Sequence, residues 1–550
     1  MLLSCCFSPK ENLHFKSVTV TKSVTATKTV TVTEIVTETK SVTVTKGATV
    51  TKVVKVIKGV TVTKGIKVIN CFTVIKSVTV PKSVTNKALA LHFDEDFPPN
   101  NLSYYGNDDD QNENITWMRA SEIAQQNGKD PVFFDRQGAS RFDVKQGKIG
   151  NCWFLAALSD LPMYPKLFKK VVDPDQNFGI NYQGKFRFRF WDFGLWKTIE
   201  VDDFLPTLQG QVRGVTSQNS GEFWSALAEK AYAKHHGNYA IALDGGFVAE
   251  ALEDLTGGIG EEIFMAEISD HSKFFLKLLQ AYKMKSMMSA SILTSSSIRD
   301  ENGLVSRHAY SLNKVIEFKL GNETVQLLRI RNPWGSGEWK GQWSDSSKKW
   351  ENLPSKIKDK LDFQSKVDGE FYISLSDFMK MFDQVTICHL SMDSIDKSAD
   401  KWKMAELEGS WTMRYGGSGP YANLLPVLND PQYLIELKDT DKDGFCTILV
   451  SVLQKSNDRN SYGSIGFEVF RVDDPAEELP LTANFFANCQ IEESHQTQIR
   501  RAATKRLHLK PGKFVIIPHN YQKASGSEES TKRFLIRVLH EGRGSFKRLK

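Results

Sequence analysis

No uninterrupted apolar run in the sequence approaches the roughly 18 residues that cross a bilayer, so a helical integral membrane protein is excluded. Cysteine is scarce as well: seven in 550 residues, at 5, 6, 71, 152, 388, 446 and 489, without close CxxC pairs or His at metal-ligand spacing. Neither a disulfide framework nor a zinc site is expected, and a reducing, cytoplasmic location follows. The opening MLLSCCFSPKEN has no basic n-region, and its apolar stretch ends at Pro9, too early for a secretory leader. Leu2 excludes a myristoylation start, and no polybasic run adjoins Cys5 and Cys6, which read as surface thiols rather than palmitoylated anchors.

Arginine is absent from the first 87 residues, which carry 14 Lys against 3 Glu, a balance of +11. The net charge of +6 therefore leaves −5 for the remaining residues, and a nucleic-acid-binding body is excluded. From Ser17 the chain runs in hexads such as SVTVTK, whose frame never slips. Six is a multiple of two, so an extended chain puts Val and Lys on one face and Ser and Thr on the other. Turn residues for the corners of a solenoid are few, so a disordered or locally extended tail is expected. An oligomerising β-segment and a partner-binding arm are the alternatives. The sparse lysines allow weak, salt-sensitive attraction to acidic proteins, or peripheral association with an anionic membrane surface.

Past Ala88 the composition becomes that of a globular body, 40% hydrophobic and 25% charged over the whole chain. NCWFLAALSDL is apolar almost all round and predicts a buried helix. Phe186, Phe188 and Phe190 alternate with Arg187 and Arg189 as in a half-buried strand. Trp224, Leu227, Ala228, Ala231 and Tyr232 recur at helical spacing, and Gly257-Gly258 suits a hinge between two lobes. After about residue 395, short strands such as CTILVSVL and FLIRVL alternate with turns, which is β-sandwich texture.

Cys152 opens the buried helix, where unpaired N–H groups favour a thiolate. Gln146 precedes it in the loop QGKIGNC, placed to join the Cys152 N–H in stabilising an oxyanion. His308 heads the strand HAYSLNKVIEF, and Asn332 ends VQLLRIRNPW, with a Gly321-Asn322 turn between them. Simple pairing about that turn sets residue 311 against 332, about three residues out of register for His308, so a bulge or slack in the loop is needed to bring it to Asn332. An Asn carbonyl orients an imidazole without adding a negative charge beside a thiolate–imidazolium pair. Singly, each residue has an ordinary reading as an inert core thiol, a satisfied core His or a turn Asn.

Together QGKIGNCW, GLVSRHAY and RIRNPWGSGEWKGQWSD resemble the cysteine, histidine and asparagine blocks of the calpains, in that order. FWSALAEKAYAK and EALEDLTGG add to the resemblance, which covers roughly residues 91 to 545. It implies an α+β fold: a two-lobed papain-like cysteine protease core followed by an antiparallel β-sandwich, here preceded by the low-complexity arm. The expected divisions are 1–90 for the arm, 91–257 and 258–395 for the two lobes, and 396–550 for the sandwich. It implies Cys152 as nucleophile, His308 as base and then acid, Asn332 as orienter and Gln146 as oxyanion donor. It also implies two Ca2+ ions in the core. Asp143 and Glu222, with the carbonyls of Arg136 and Gly138, would hold the first. Glu338, Asp345, Asp368 and Glu370, with the Lys366 carbonyl, would hold the second.

The implied function is calcium-dependent intracellular endoproteolysis of protein substrates through a thioester acyl-enzyme. A catalytically silent scaffold or regulatory binding protein is the alternative. Arg307 stands where the pattern usually has Gly, which bears on backbone approach and substrate fit beside the base. KDTDKDGF imitates the first half of an EF-hand loop, but Val450 stands where position twelve needs Glu. The sequence after FLIRVL is short, so a penta-EF-hand domain and a small-subunit partner are not expected.

Overall fold

The computed structural model describes, of the first 90 residues, only eight short strands. From residue 91 onward it describes all but 108–113, 180, 352, 391–401, 414–429, 439, 441–443, 456–460, 489, 521–529, 541–543 and 550. Cys5, Cys6, Cys71, Cys489 and the acidic residues Asp439, Asp441 and Asp443 lie outside the described residues. The chain divides into two compact units, Met1–Ala90 and Leu91–Lys550.

In the first unit the strands form two four-stranded parallel sheets. Val42 pairs with Val60, Thr43 with Thr61 and Val44 with Val62, and Val60 in turn with Val78. In these strands the step of 18 residues is three hexads, so Val stacks on Val and Thr on Thr, whereas Leu13 pairs with Val30 at a step of 17 and Thr49 with Lys67. This coil-type pairing is what the shortage of turn residues argued against. An unslipping six-residue frame is compatible with it, because every third hexad presents the same alternation to its neighbour.

The second unit begins with a helical lobe. Helix α1 (Cys152–Asp160) has every residue after Cys152 buried, as expected for a helix apolar all round. Around it pack α2 (Trp224–His236) and α3 (Val248–Thr256), with Phe154, Phe186, Trp224 and Tyr232 in a shared core. Gly257, at φ 72, ends α3 in the left-handed conformation that glycine adopts without a Cβ clash. A six-stranded antiparallel sheet follows. Its strands are β1 (Ile259–Phe264), β2 (Met287–Ile292), β3 (His308–Leu320), β4 (Glu323–Arg331), β5 (Glu370–Ser374) and β6 (Gln384–His389), in the order β1-β6-β2-β3-β4-β5. Phe275, Leu278, Tyr310, Leu328 and Ile373 fill the second core.

Residues from Lys403 onward form four- and five-stranded antiparallel sheets packed about Ile448, Val450, Phe467, Phe514 and Ile536. Sandwich arginines grip both sides of Gly257-Gly258. Arg501 pairs with Asp254 at 2.7 Å and Glu253 at 3.3 Å, and Arg537 with Glu253 at 2.9 Å and the Gly258 carbonyl at 2.8 Å. Arg506 pairs with Glu261 on β1 at 2.8 Å. Buried guanidinium–carboxylate pairs are specific in geometry, so they orient the sandwich on the core more than they add net stability.

Candidate active site

The hairpin of β3 and β4 turns at Gly321-Asn322, where Leu320 pairs with Glu323. The register shifts between Leu312 and Lys314, and Ser311 then faces Arg331 instead of residue 332. This bulge at Asn313 moves β3 by one residue and leaves His308 and Asn332 within reach beyond the paired segment. His308 Nε2 and Asn332 Oδ1 are 2.8 Å apart. Asn332 is fixed in turn: its N–H donates to Gly369 O at 2.8 Å, its Nδ2 to Gly337 O at 3.1 Å, and Trp334 N–H donates to its Oδ1 at 3.0 Å. The Trp334 ring lies 5.0 Å from the imidazole, with Tyr310 edge-on at 4.9 Å.

Cys152 begins α1, which packs on β3. Burial is the largest influence on its thiol and pushes the pKa up, against the lowering pull of the N–H groups of Ala309, Trp153 and Cys152 itself. The helix N-terminus alone suggested a net lowering; desolvation outweighs it. Burial also brings His308 down to about 4, only partly offset by Asn332. Each group is thus neutral on its own at pH 7.

Gln146 lies upstream with its Nε2 donating to Ile149 O at 2.8 Å, while its backbone N–H donates across the cleft to Pro333 O at 2.8 Å. The loop is strapped by Lys145–Thr216 and Lys148–Arg213 backbone bonds. Gly147 sits so close to Arg213 and Gly214 that a Cβ would meet their carbonyls at 2.4 and 2.1 Å. Sequence reasoning missed Glu229 on α2. Its carboxylate accepts from Val215 N–H at 3.0 Å and from Asn151 Nδ2 at 2.6 Å, tying this loop to the residue before Cys152. Burial pushes its pKa up to about 7. The only sequence signal was a Glu inside the segment WSALAEKAYA, which is buried throughout.

Arg307 occupies a left-handed conformation with φ 52. This is the physical meaning of a Gly at that place in related patterns, because an L side chain there costs about 1–2 kcal/mol.

Of the residues expected to hold calcium, the structure brings Asp143 and Glu222 together in the first lobe. Asp143 accepts from Ser140 N–H at 2.6 Å and Trp224 Nε1 at 3.1 Å; Glu222 accepts from Asp135 N–H at 2.8 Å and Ser217 Oγ at 2.6 Å. Burial first, and then repulsion from Asp143 and Asp135, brings Glu222 up to about 7. Arg136 is exposed in the adjoining turn, and Gly138 has φ 81. In the second lobe Glu338 accepts from the N–H groups of Asp368 and Gly369, and Asp345 from that of exposed Lys366. Asp345 is brought up to about 7 by burial and by Glu338, Asp368 and Glu370. Both Glu370 oxygens are held by Arg141, at 2.7 and 2.9 Å, a bidentate bridge between the lobes. Among the described residues no group of three or more His, Cys, Asp or Glu is arranged to close on a metal ion. The donors are all hard oxygens and the carboxylates repel one another, which fits a divalent cation of the calcium kind.

Residues 92–389 match the model of the calpain family cysteine protease, and residues 407–539 that of calpain large subunit, domain III. Among curated relatives, Calpain-B of Drosophila melanogaster is 37% identical over 491 residues, covering 84% of this chain and 52% of that protein. Calpain-A of the same fly is 37% identical, with coverage of 84% and 57%, and human Calpain-12 is 35% identical, with 82% and 67%. The chain thus spans about half the length of the two fly relatives. With both family models matched in order along a two-lobed α+β body and its sandwich, the chain belongs to the calpain family of cysteine proteases.

Proposed function

We propose that this protein is a calcium-regulated endopeptidase that cleaves peptide bonds of protein substrates through Cys152. The observation that carries the reading is the 2.8 Å bond between His308 and a fully buried Asn332, on the strand against which the Cys152 helix packs. His308 takes the thiol proton as the sulfur attacks the scissile carbonyl. Gln146 Nε2 and the Cys152 N–H stabilise the oxyanion, and the imidazolium passes its proton to the departing amine. Water, deprotonated by His308, then releases the acid product from the thioester and restores the thiol. Calcium, held by Asp143 and Glu222 and by Glu338, Asp345 and Asp368, would relieve carboxylate repulsion near the lobe junction. The thin cysteine usage suits action in a reducing cytoplasm, with the lysine-bearing arm influencing location.

A silent scaffold is the second reading, favoured by Arg307 and by a thiol whose pKa burial raises. Casein cleavage, with and without calcium, decides between them. The endopeptidase reading expects cleavage with calcium, none in excess chelator, and none with Cys152→Ala. Cleavage that persists in Cys152→Ala, or none under any calcium concentration, refutes it. Asp143→Asn and Asp345→Asn should each raise the calcium midpoint, since each removes a charged oxygen from a different cluster.

A further inference from the structure

Arg307 is an exposed residue in a conformation that glycine would adopt without strain, one position before His308. A side chain held at φ 52 is strained where glycine would not be, and strained residues cluster at active sites and ligand clamps. Among the described residues it has no ion pair. Of the carboxylates nearby in sequence or on the adjoining strand end, Asp383 is paired with Arg299 at 2.6 Å, and Asp300 accepts from Ser306 Oγ at 3.2 Å. Ile292 pairs with His308 at the end of its strand, with Leu293, 46% exposed, the next residue, and Trp334, 40% exposed, packs on the imidazole. The residue before the base is therefore an exposed cation without an ion pair among the described residues, and the imidazole beside it is covered by the exposed Trp334.

We infer that Arg307 is a specificity-determining residue, whose guanidinium selects polypeptide substrates with an Asp or Glu side chain within about two residues of the scissile bond. This rests on the endopeptidase reading above. Arginine suits the task because it stays charged and can bind a carboxylate bidentately. A solvent-exposed pair is weak and screened, so the preference is about two- to fivefold in kcat/KM over an uncharged side chain, and it fades with salt.

The test uses the full chain and fluorogenic peptides identical except for Asp, Ala or Lys at each position flanking the bond. Wild-type protein should cleave one Asp peptide two- to fivefold better than its Ala counterpart at about 50 mM salt, with the ratio falling toward one at about 500 mM. In Arg307→Gly the ratio should be near one, and in Arg307→Glu the Lys peptide should become the preferred one. A wild-type ratio at or below one, a ratio indifferent to salt, or the same ratio in all three proteins overturns the inference. The wild-type salt series decides the matter even where Arg307→Glu fails to fold. Cleavage without acidic preference sinks the role of Arg307 alone, whereas no cleavage of any peptide or of casein removes the endopeptidase reading and this inference with it.

Discussion

Replacing Asn332 by Ala tests the centre of the site. The substitution strands the His308 ring N–H, in a side chain 5% exposed, while Gly337 O and Trp334 N–H, both on exposed residues, are rehydrated. A buried group left without its partner costs about 1–3 kcal/mol, so the one deep loss costs about 2 kcal/mol. On a scale of about 2–4 °C per kcal/mol, the melting temperature should fall by roughly 4–8 °C. An imidazole no longer held in one tautomer and orientation should lose at least about 10²-fold in kcat/KM, or about 2.7 kcal/mol of transition-state stabilisation. Asn332→Asp separates the two effects, because it keeps the acceptor and adds a charge 2.8 Å from the ring. The Coulomb attraction is about 6 kcal/mol at an effective dielectric of 20, less several for burying the carboxylate. The His308 pKa must therefore rise from about 4. In the wild type the folded value lies below the ordinary 6.5, so the unfolded chain binds a proton that the native state refuses, and stability is lost as pH falls from 6.5 to 4. The Asp variant should lose less over that window. Differential scanning fluorimetry at pH 7.5 and 5, together with peptide kinetics, reads both. An Ala variant within 2 °C and threefold of wild type would refute the assignment of Asn332 as the orienter.

Iodoacetamide should label Cys152, which is half-buried, before Cys388 and Cys446, which are buried; peptide mapping that finds either of the latter modified first contradicts the nucleophile assignment. Arg537→Met should destabilise the protein by about 2–3 kcal/mol, below the full cost of an orphaned buried charge because Arg501 still reaches Glu253; an unchanged melting temperature argues that the sandwich clamp is dispensable. Burial holds His519 down to about 4 as well, so His519→Gln should blunt the acid destabilisation between pH 6.5 and 4 by up to about 3 kcal/mol, read as the change in urea midpoint with pH.

Features carried by neighbours along the chain were legible from the sequence. The all-round apolar character of residues 153–160 dictates a buried helix, and Gly321-Asn322 dictates a two-residue hairpin turn. The order of the cysteine, histidine and asparagine blocks pointed to the family. The hexad frame likewise contains its own pairing, since a step of three hexads superposes Val on Val, although the scarcity of turn residues argued the other way.

What only tertiary structure decided depends on which distant groups exclude water from one another. Local position at a helix N-terminus favoured a low thiol pKa for Cys152, but the packing of α1 on β3 removes solvent and reverses the balance. The bulge at Asn313 shifts by one residue a register that turn counting alone fixes otherwise. Glu229 has nothing in its sequence neighbourhood to mark it, because its partners, Asn151 and Val215, lie on other loops. Arg501 likewise finds Glu253 across 248 positions. Periodicity and turn chemistry are short-range properties, fixed by backbone sterics and by the alternation of polar and apolar side chains, and so they are written in the sequence. Desolvation and charge pairing are set by the closed three-dimensional neighbourhood, and they determine what the Cys152 thiol, the His308 imidazole and the exposed Arg307 can do.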